Sequence, residues 1–133
     1  MAGARAYLEG VQRLLDQLGT GPAQIDVNEA DDQGHLTASL LLAGGYRLEA
    51  DARLTFADRP EVYRYSFQLL DSNSNQVLRF DNEPHHPRLT GFPHHLHQRG
   101  QPVGGVSPAP SIRVILAAIQ DEIEFAQAAD DTG

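Results

Sequence analysis

The most regular pattern in the chain lies at residues 46–56, which read YRLEADARLTF. Apolar side chains occupy every second position of this stretch, and charged or polar side chains occupy the positions between them. Because successive side chains of a β-strand point to opposite faces, this two-residue period predicts a strand with one apolar and one polar face. Such strands are typical of an antiparallel sheet that is covered on one face only.

Shorter patterns of the same kind on both sides of this stretch predict further strands. The five predicted strands lie around residues 25–27 and at 36–42, 46–56, 63–69 and 76–81. Gly44 and Gly45 offer a tight turn between the second and third strands, because glycine adopts positive φ at no steric cost. The connections are all short, so we expect an antiparallel meander.

The pairing of the last two strands is constrained by their apolar residues. If both apolar sets face the core, the numbers of opposed residues sum to an odd value, and a slip of one residue would turn every side chain to the other face. We expect Tyr63 and Tyr65 to point inward. This register gathers polar side chains on the outer face: Arg64, Ser66, Gln68, Arg79 and Asp81.

Two helices complete the predicted fold. Apolar residues recur at steps of three and four over residues 4–18 and again over 112–126, which is the pattern of an amphipathic helix. The length of 133 residues suits a single domain spanning 1–133. The sequence therefore predicts an α+β fold, an antiparallel five-stranded meander with the N- and C-terminal helices packed on one face.

Composition excludes several classes of protein. The chain has no cysteine, which removes disulfides and thiolate metal sites, and it has no long apolar run or signal-like leader. We therefore expect a cytoplasmic protein that does not enter a membrane. A net charge of −8 argues against a general nucleic-acid coat protein, yet residues 79–99 hold three arginines against two carboxylates. A locally basic segment on an acidic chain suits an anionic substrate bound at one place.

Residues 79–99 also contain five of the six histidines. These candidate catalytic residues are His85, His86, His94, His95 and His97. Pro84, Pro87 and Pro93 favour an extended backbone in the residues before them, so we expect a fixed loop. In an extended segment His95 and His97 project to one side and His94 to the other.

The histidines admit three interpretations. In the first, neutral and protonated imidazoles cleave RNA by acid–base catalysis without a metal cofactor, with Asp81 orienting a ring. The candidate phosphate-binding residues are then Arg64, Arg79 and Arg88. In the second, His95 and His97, with Asp81 or Glu83, bind a divalent transition metal in a non-enzymatic metal- or partner-binding module. In the third, the histidines only cap the sheet in a solvated loop.

Four short motifs in the middle of the chain carry a family resemblance. They are YRYSFQ at 63–68, RFDN at 79–82, PHHP at 84–87 and FPHHLH at 92–97. Their order and spacing resemble the TumE-like toxin family of toxin–antitoxin systems. The resemblance implies a toxin that blocks growth by attacking RNA or translation, and a cognate antitoxin protein as its partner. RNA is then the expected substrate, and the sequence leaves a homo-oligomer open.

The chain departs from the family pattern in the strand at 63–69. Relatives often carry a second polar residue or a histidine where this chain has Ser66, and a smaller residue where it has Arg64. The resemblance therefore leaves open whether these two residues alter the activity of this member.

Overall fold

The computed structural model describes residues 2–20, 24–30 and 32–132, and among these the side chains of residues 6–129. Ala4, at the start of the predicted helical pattern, lies outside the residues whose side chains are described, as do both ends of the predicted domain. The helices and strands are α1 (Ala2–Leu18), β1 (Gln24–Ala30), β2 (Gln33–Leu41), β3 (Arg47–Thr55), β4 (Glu61–Leu70), β5 (Gln76–Asp81), β6 (His95–Gln98), β7 (Gly104–Gly105) and α2 (Ile112–Thr132). Among the described residues, no helix is both long and apolar enough to cross a bilayer.

The strands form one antiparallel sheet in which the order follows the chain from β1 to β7. The α+β class and the meander are confirmed, but the predicted number of five strands is wrong. β6 lies in the histidine segment, which was expected to be a loop, and β7 follows that segment. Their sequences, HLHQ and GG, hold one apolar residue between them, so burial leaves no periodic signal there.

The core lies between one face of the sheet and the two helices. Inward side chains of β2 to β5, including Leu40, Leu48, Phe67 and Leu78, are buried. α1 adds Leu8, Val11 and Leu15, and α2 adds Ile112, Ile115, Leu116, Ile119 and Ile123. The predicted packing of both helices on the apolar face is therefore confirmed, and we call the opposite, polar face of the sheet the outer face.

The register of β4, β5 and β6 aligns polar residues across the outer face. Ser66 of β4 is opposite Asp81 of β5, which is opposite His95 of β6. In the next row, Arg79 is opposite His97. The numbers of the paired residues of β4 and β5 sum to an odd value, as predicted, up to an irregularity at Leu69 and Leu70. This register brings His95 and His97 close to Asp81.

A β-bulge interrupts the pairing of β3 with β4. Arg53 pairs with Arg64, but the next residue, Leu54, pairs with Val62, so Tyr63 is the extra residue in β4. The prediction that Tyr63 points inward is wrong: 49% of its surface is exposed, and Val62 packs against the core instead. A bulge inserts one residue and re-aims the side chains beside it.

Candidate functional site

Asp81 is the buried centre of the candidate site. It ends β5 on the outer face and is only 1% exposed. Its Oδ1 lies 2.7 Å from His95 Nε2 and accepts the Glu83 N–H at 3.1 Å. Its Oδ2 accepts the Arg79 Nε–H at 2.7 Å. Because a carboxylate is stable in the interior only when paired and hydrogen-bonded, these contacts explain how Asp81 is accommodated.

His95 is buried against Asp81 and uses both ring nitrogens. Its Nδ1 lies 3.0 Å from the carbonyl oxygen of Pro93, and its Nε2 faces the carboxylate. A carbonyl only accepts, so Nδ1 carries a proton. The contact of 2.7 Å between Nε2 and Oδ1 is as short as a strong hydrogen bond or ion pair. His95 is therefore held in one orientation by contacts at both ring nitrogens.

His97 lies beside this pair and is more accessible. Its side chain is 22% exposed, and its Nε2 lies 3.3 Å from Arg79 Nη2 and 3.7 Å from Asp81 Oδ2. Burial lowers the pKa of His97, and Arg79, His95 and His86 lower it further, while Asp81 opposes them. Since a guanidinium only donates, Nε2 carries the lone pair of a neutral imidazole. His97 can therefore accept a proton near neutral pH.

The loop at residues 82–94 places another imidazole over these rings. The ring centroid of His86 lies 5.4 Å from that of His95 and 6.3 Å from that of His97. His86 has a φ of 60°, in the left-handed region that costs a residue with a Cβ about 1 kcal/mol or more. His86 is exposed to solvent. The loop therefore presents a third ring at the surface of the site.

The structure brings part of the predicted set together, and we call this group the histidine cluster: Arg79, Asp81, His86, His95 and His97. The His85 ring makes an edge contact with the His86 ring, at 6.3 Å between centroids. Arg64 lies in a neighbouring groove, where its Nε is 3.4 Å from Glu83 Oε1. Arg88 is exposed, and within the described part of the chain no hydrogen bond or ion pair involves its side chain.

His94 lies on the inner side of the sheet, away from the cluster. Its Nδ1 lies 2.8 Å from the Tyr65 hydroxyl, and the two rings stack at 5.8 Å. Burial lowers the pKa of His94, with a further contribution from His95. Burial also raises the pKa of Tyr65, as does the charge of Asp81. Tyr65 therefore donates its O–H to a neutral His94, and the expected divergence of His94 from His95 and His97 is confirmed.

Comparison with protein families identifies the chain. A family model described as Toxin TumE matches residues 12–125, which include the whole sheet and the histidine cluster. The chain belongs to the TumE toxin family. Membership implies a cognate antitoxin as partner. Comparisons with curated proteins and with solved structures give no significant match.

Asn82 is a residue of this TumE-family chain to which the sequence assigned no role. It is 8% exposed and follows Asp81 directly. Its Oδ1 accepts the backbone N–H of Tyr65 at 2.9 Å, and its Nδ2 donates to the carbonyl oxygen of Tyr63 at 2.9 Å. The Asn82 side chain thus makes with β4, beside the bulge, two hydrogen bonds of the kind that the backbone of a neighbouring strand makes. The sequence signal that could have identified this role is an amide side chain directly after a strand, in the motif RFDN.

The same TumE-family cluster contains the donors of the predicted metal alternative. One ligand atom each from Asp81, His95 and His97 lie within 4.8 Å of one another. Two imidazoles and a carboxylate suit zinc or a similar metal, and the Pro93 carbonyl orients His95 as an outer hydrogen bond does in metal sites. However, the Arg79 guanidinium contacts both the carboxylate and His97. A cation could fit this donor set only if Arg79 moved away.

Proposed function

We propose that this toxin blocks growth by cleaving RNA through acid–base catalysis by the histidine cluster, without a metal. The observation that supports this most is the position of His97. It is a partly exposed imidazole that is neutral near pH 7, in contact with a guanidinium and backed by the buried pair of Asp81 and His95. A base beside a fixed positive charge suits attack on a phosphodiester.

In the proposed reaction, His97 removes the proton of a ribose 2′-hydroxyl. The 2′-oxygen forms a bond to phosphorus, and the bond from phosphorus to the 5′-oxygen breaks as His86 donates a proton to that oxygen. The products are a 2′,3′-cyclic phosphate and a 5′-hydroxyl. The proposed step consumes no reactant other than the RNA, and no metal takes part in it. His86 is assigned this role because it is exposed and 6.3 Å from His97.

Arg79 stabilises the charge that develops on the phosphate oxygens. Its Nε is held by Asp81 at 2.7 Å, while its Nη2 makes a longer contact of 3.3 Å with His97. The substrate hydroxyl would replace that longer contact, leaving Nη2 free to donate to the phosphate. The pair of Asp81 and His95 positions the other groups, because it is too buried to reach the substrate.

RNA cleavage in vitro tests this proposal. Purified protein is incubated with labelled RNA, with and without EDTA, and the product ends are analysed. We expect cleavage in EDTA with cyclic phosphate ends, and a loss of about a hundredfold or more in His97→Ala. The control is Arg113→Ala, because Arg113 is an exposed residue of α2 and lies outside the cluster. Induced expression of the same variants in cells shows whether growth arrest follows cleavage.

Three results would contradict the proposal. Cleavage that EDTA abolishes and zinc restores would assign the reaction to a metal bound at Asp81, His95 and His97 instead of to metal-free acid–base catalysis. Full activity in His97→Ala would remove the assigned base. Growth arrest by a protein that leaves RNA intact would point to a different target. We expect the toxin to encounter both RNA and the antitoxin in the cytoplasm.

A further inference from the structure

The bulge in β4 opens a second feature on the outer face, which we call the Tyr63 groove. Its lining residues are Asp51, Arg53, Tyr63, Arg64, Tyr65, Ser66 and Glu83, and its volume is about 690 Å³. Tyr63 is a large aromatic side chain with half of its surface exposed, and the core does not need it because Val62 takes the inward position. A single exposed aromatic residue is ordinary at a protein surface, but Tyr63 lies in a groove that also contains two arginines, Arg53 and Arg64.

We propose that the Tyr63 groove binds an unpaired base of single-stranded RNA, with the base stacked on the Tyr63 ring and Arg53 contacting the phosphate. The inference rests on the proposed function, since it names the form of RNA that the site takes. Aromatic side chains bind single strands of any sequence because every base has a π-face. A paired base in a duplex does not offer that face.

The Tyr63 groove adjoins the histidine cluster. Glu83 lines the groove, and its backbone N–H donates to Asp81 Oδ1. Ser66 also lines the groove and is directly opposite Asp81 in the sheet. Tyr63 lies three residues along β4 from Ser66, or about 10 Å at the rise of a strand. A base held in the groove therefore belongs to a nucleotide next to the one at the cluster.

The charges of the groove leave one guanidinium for a phosphate. Arg64 is paired with Glu83 at 3.4 Å, and Asp51 Oδ1 lies 3.1 Å from His35 Nε2. Arg53 is exposed, and in the described residues no carboxylate lies within ion-pair distance of it. With only one such cation and an acidic chain around it, the groove is better suited to stacking than to gripping the paired backbones of a duplex.

The position of Tyr63 is fixed before any ligand binds. Asn82 Nδ2 donates to the Tyr63 carbonyl oxygen, and Asn82 Oδ1 accepts from Tyr65 N–H, each at 2.9 Å. These bonds hold the backbone that directly follows the bulged residue, on both sides of Arg64. A preformed aromatic platform loses less entropy on binding than a mobile one, which favours a role in recognition.

Binding of a labelled single-stranded oligoribonucleotide, measured by fluorescence anisotropy, tests this inference. The full chain carries His97→Ala so that the probe stays intact. We expect Tyr63→Ala to weaken binding by about 5- to 150-fold, the range for loss of one stacked base. Tyr63→Phe keeps the ring and should retain binding, while Arg53→Gln should weaken it and reduce its salt dependence. The control is Phe125→Ala, an aromatic residue of α2 that is 73% exposed.

The outcomes separate this inference from the proposed function. Unchanged binding in Tyr63→Ala, equal binding of a duplex of the same sequence, or no binding of either RNA would overturn the inference. Tyr63-dependent binding by a wild-type chain that never cleaves RNA would support the inference and overturn the proposed catalysis. Cleavage by the wild type with binding that ignores Tyr63 would do the reverse.

Discussion

Replacing Asp81 by alanine tests how much the buried centre of the histidine cluster contributes to stability. The substitution removes the carboxylate that lies 2.7 Å from His95 Nε2, and with it the acceptor of the Arg79 Nε–H at 2.7 Å. It also removes the acceptor of the Glu83 N–H at 3.1 Å. Because His95 is only 2% exposed, solvent does not replace the lost partner without a rearrangement.

The cost can be estimated from the burial of the pair. Removing one partner of a buried ion pair costs about 3–5 kcal/mol, and the unpaired Glu83 N–H adds about 0.5–1.5 kcal/mol. Arg79 adds little because its side chain is about a third exposed and can turn to water. We therefore expect the free energy of unfolding to fall by about 4 kcal/mol, which shifts a urea midpoint by about 2 M.

Urea denaturation followed by far-UV circular dichroism measures this change. The chain offers a matched control in Asp51→Ala, because Asp51 also pairs with a histidine, His35, at 3.1 Å. That pair is 50% and 37% exposed, so its loss should cost less than about 1 kcal/mol. Equal destabilisation by the two substitutions, or a loss below about 1 kcal/mol for Asp81→Ala, would refute the reasoning from burial.

Three further predictions follow from single contacts. Asn82→Ala should lower the free energy of unfolding by about 2–3 kcal/mol, because two hydrogen bonds to β4 are lost; a smaller loss in urea denaturation would contradict the role of Asn82 at the bulge. Tyr65→Phe should cost about 1 kcal/mol but leave RNA cleavage unchanged, since its hydroxyl bonds only His94 on the inner side; a cleavage defect would count against this. Stability should fall as pH drops below about 6.5, because the lowered pKa values of His94 and His97 let the unfolded chain bind protons that the folded chain does not. Denaturation midpoints on both sides of that pH check this, and His97→Asn should weaken the dependence.

The sequence predicted the parts of the sheet that burial controls. β2 to β4 mostly alternate buried and more exposed residues because one face packs on the helices. Leu78 and Phe80 of β5 face the same core, which set the relation between Ser66 and Asp81. β6 carries only Leu96 as an apolar residue. Its place in the sheet depends on the buried pair of Asp81 and His95, a contact between residues far apart in sequence. The periodicity of apolar residues within one strand cannot predict such a contact.

The bulge at Tyr63 was missed for a related reason. Val62, Tyr63 and Tyr65 cannot all alternate on one face, so the sequence did contain a break in the pattern. The residue that fixes the break is Asn82, on the neighbouring strand end. The sequence of β4 alone shows that the alternation is interrupted. It does not show which residue leaves the core, because that depends on contacts with Asn82.

Within the histidine segment, the residue types predicted acid–base chemistry. The geometry of the strand decides which of the histidines lie on the outer face. Five histidines were candidates, and the extended backbone of β6 sends His95 and His97 to the outer face and His94 to Tyr65. The position of His86 depends on its left-handed backbone, which the sequence does not indicate because only a minority of histidines adopt it.

Two adjacent residues at the end of β5 connect the cluster to the Tyr63 groove. Asp81 holds His95 and Arg79 on the outer face, and Asn82 holds the bulge that exposes Tyr63. Asp81 is the last residue of β5 and its carboxylate reaches the cluster, while Asn82 directly follows the strand and its amide reaches the backbone of β4. A slip of β5 by one residue would remove both anchors together. The reacting groups and the proposed base platform are therefore set at a fixed separation by a single dipeptide.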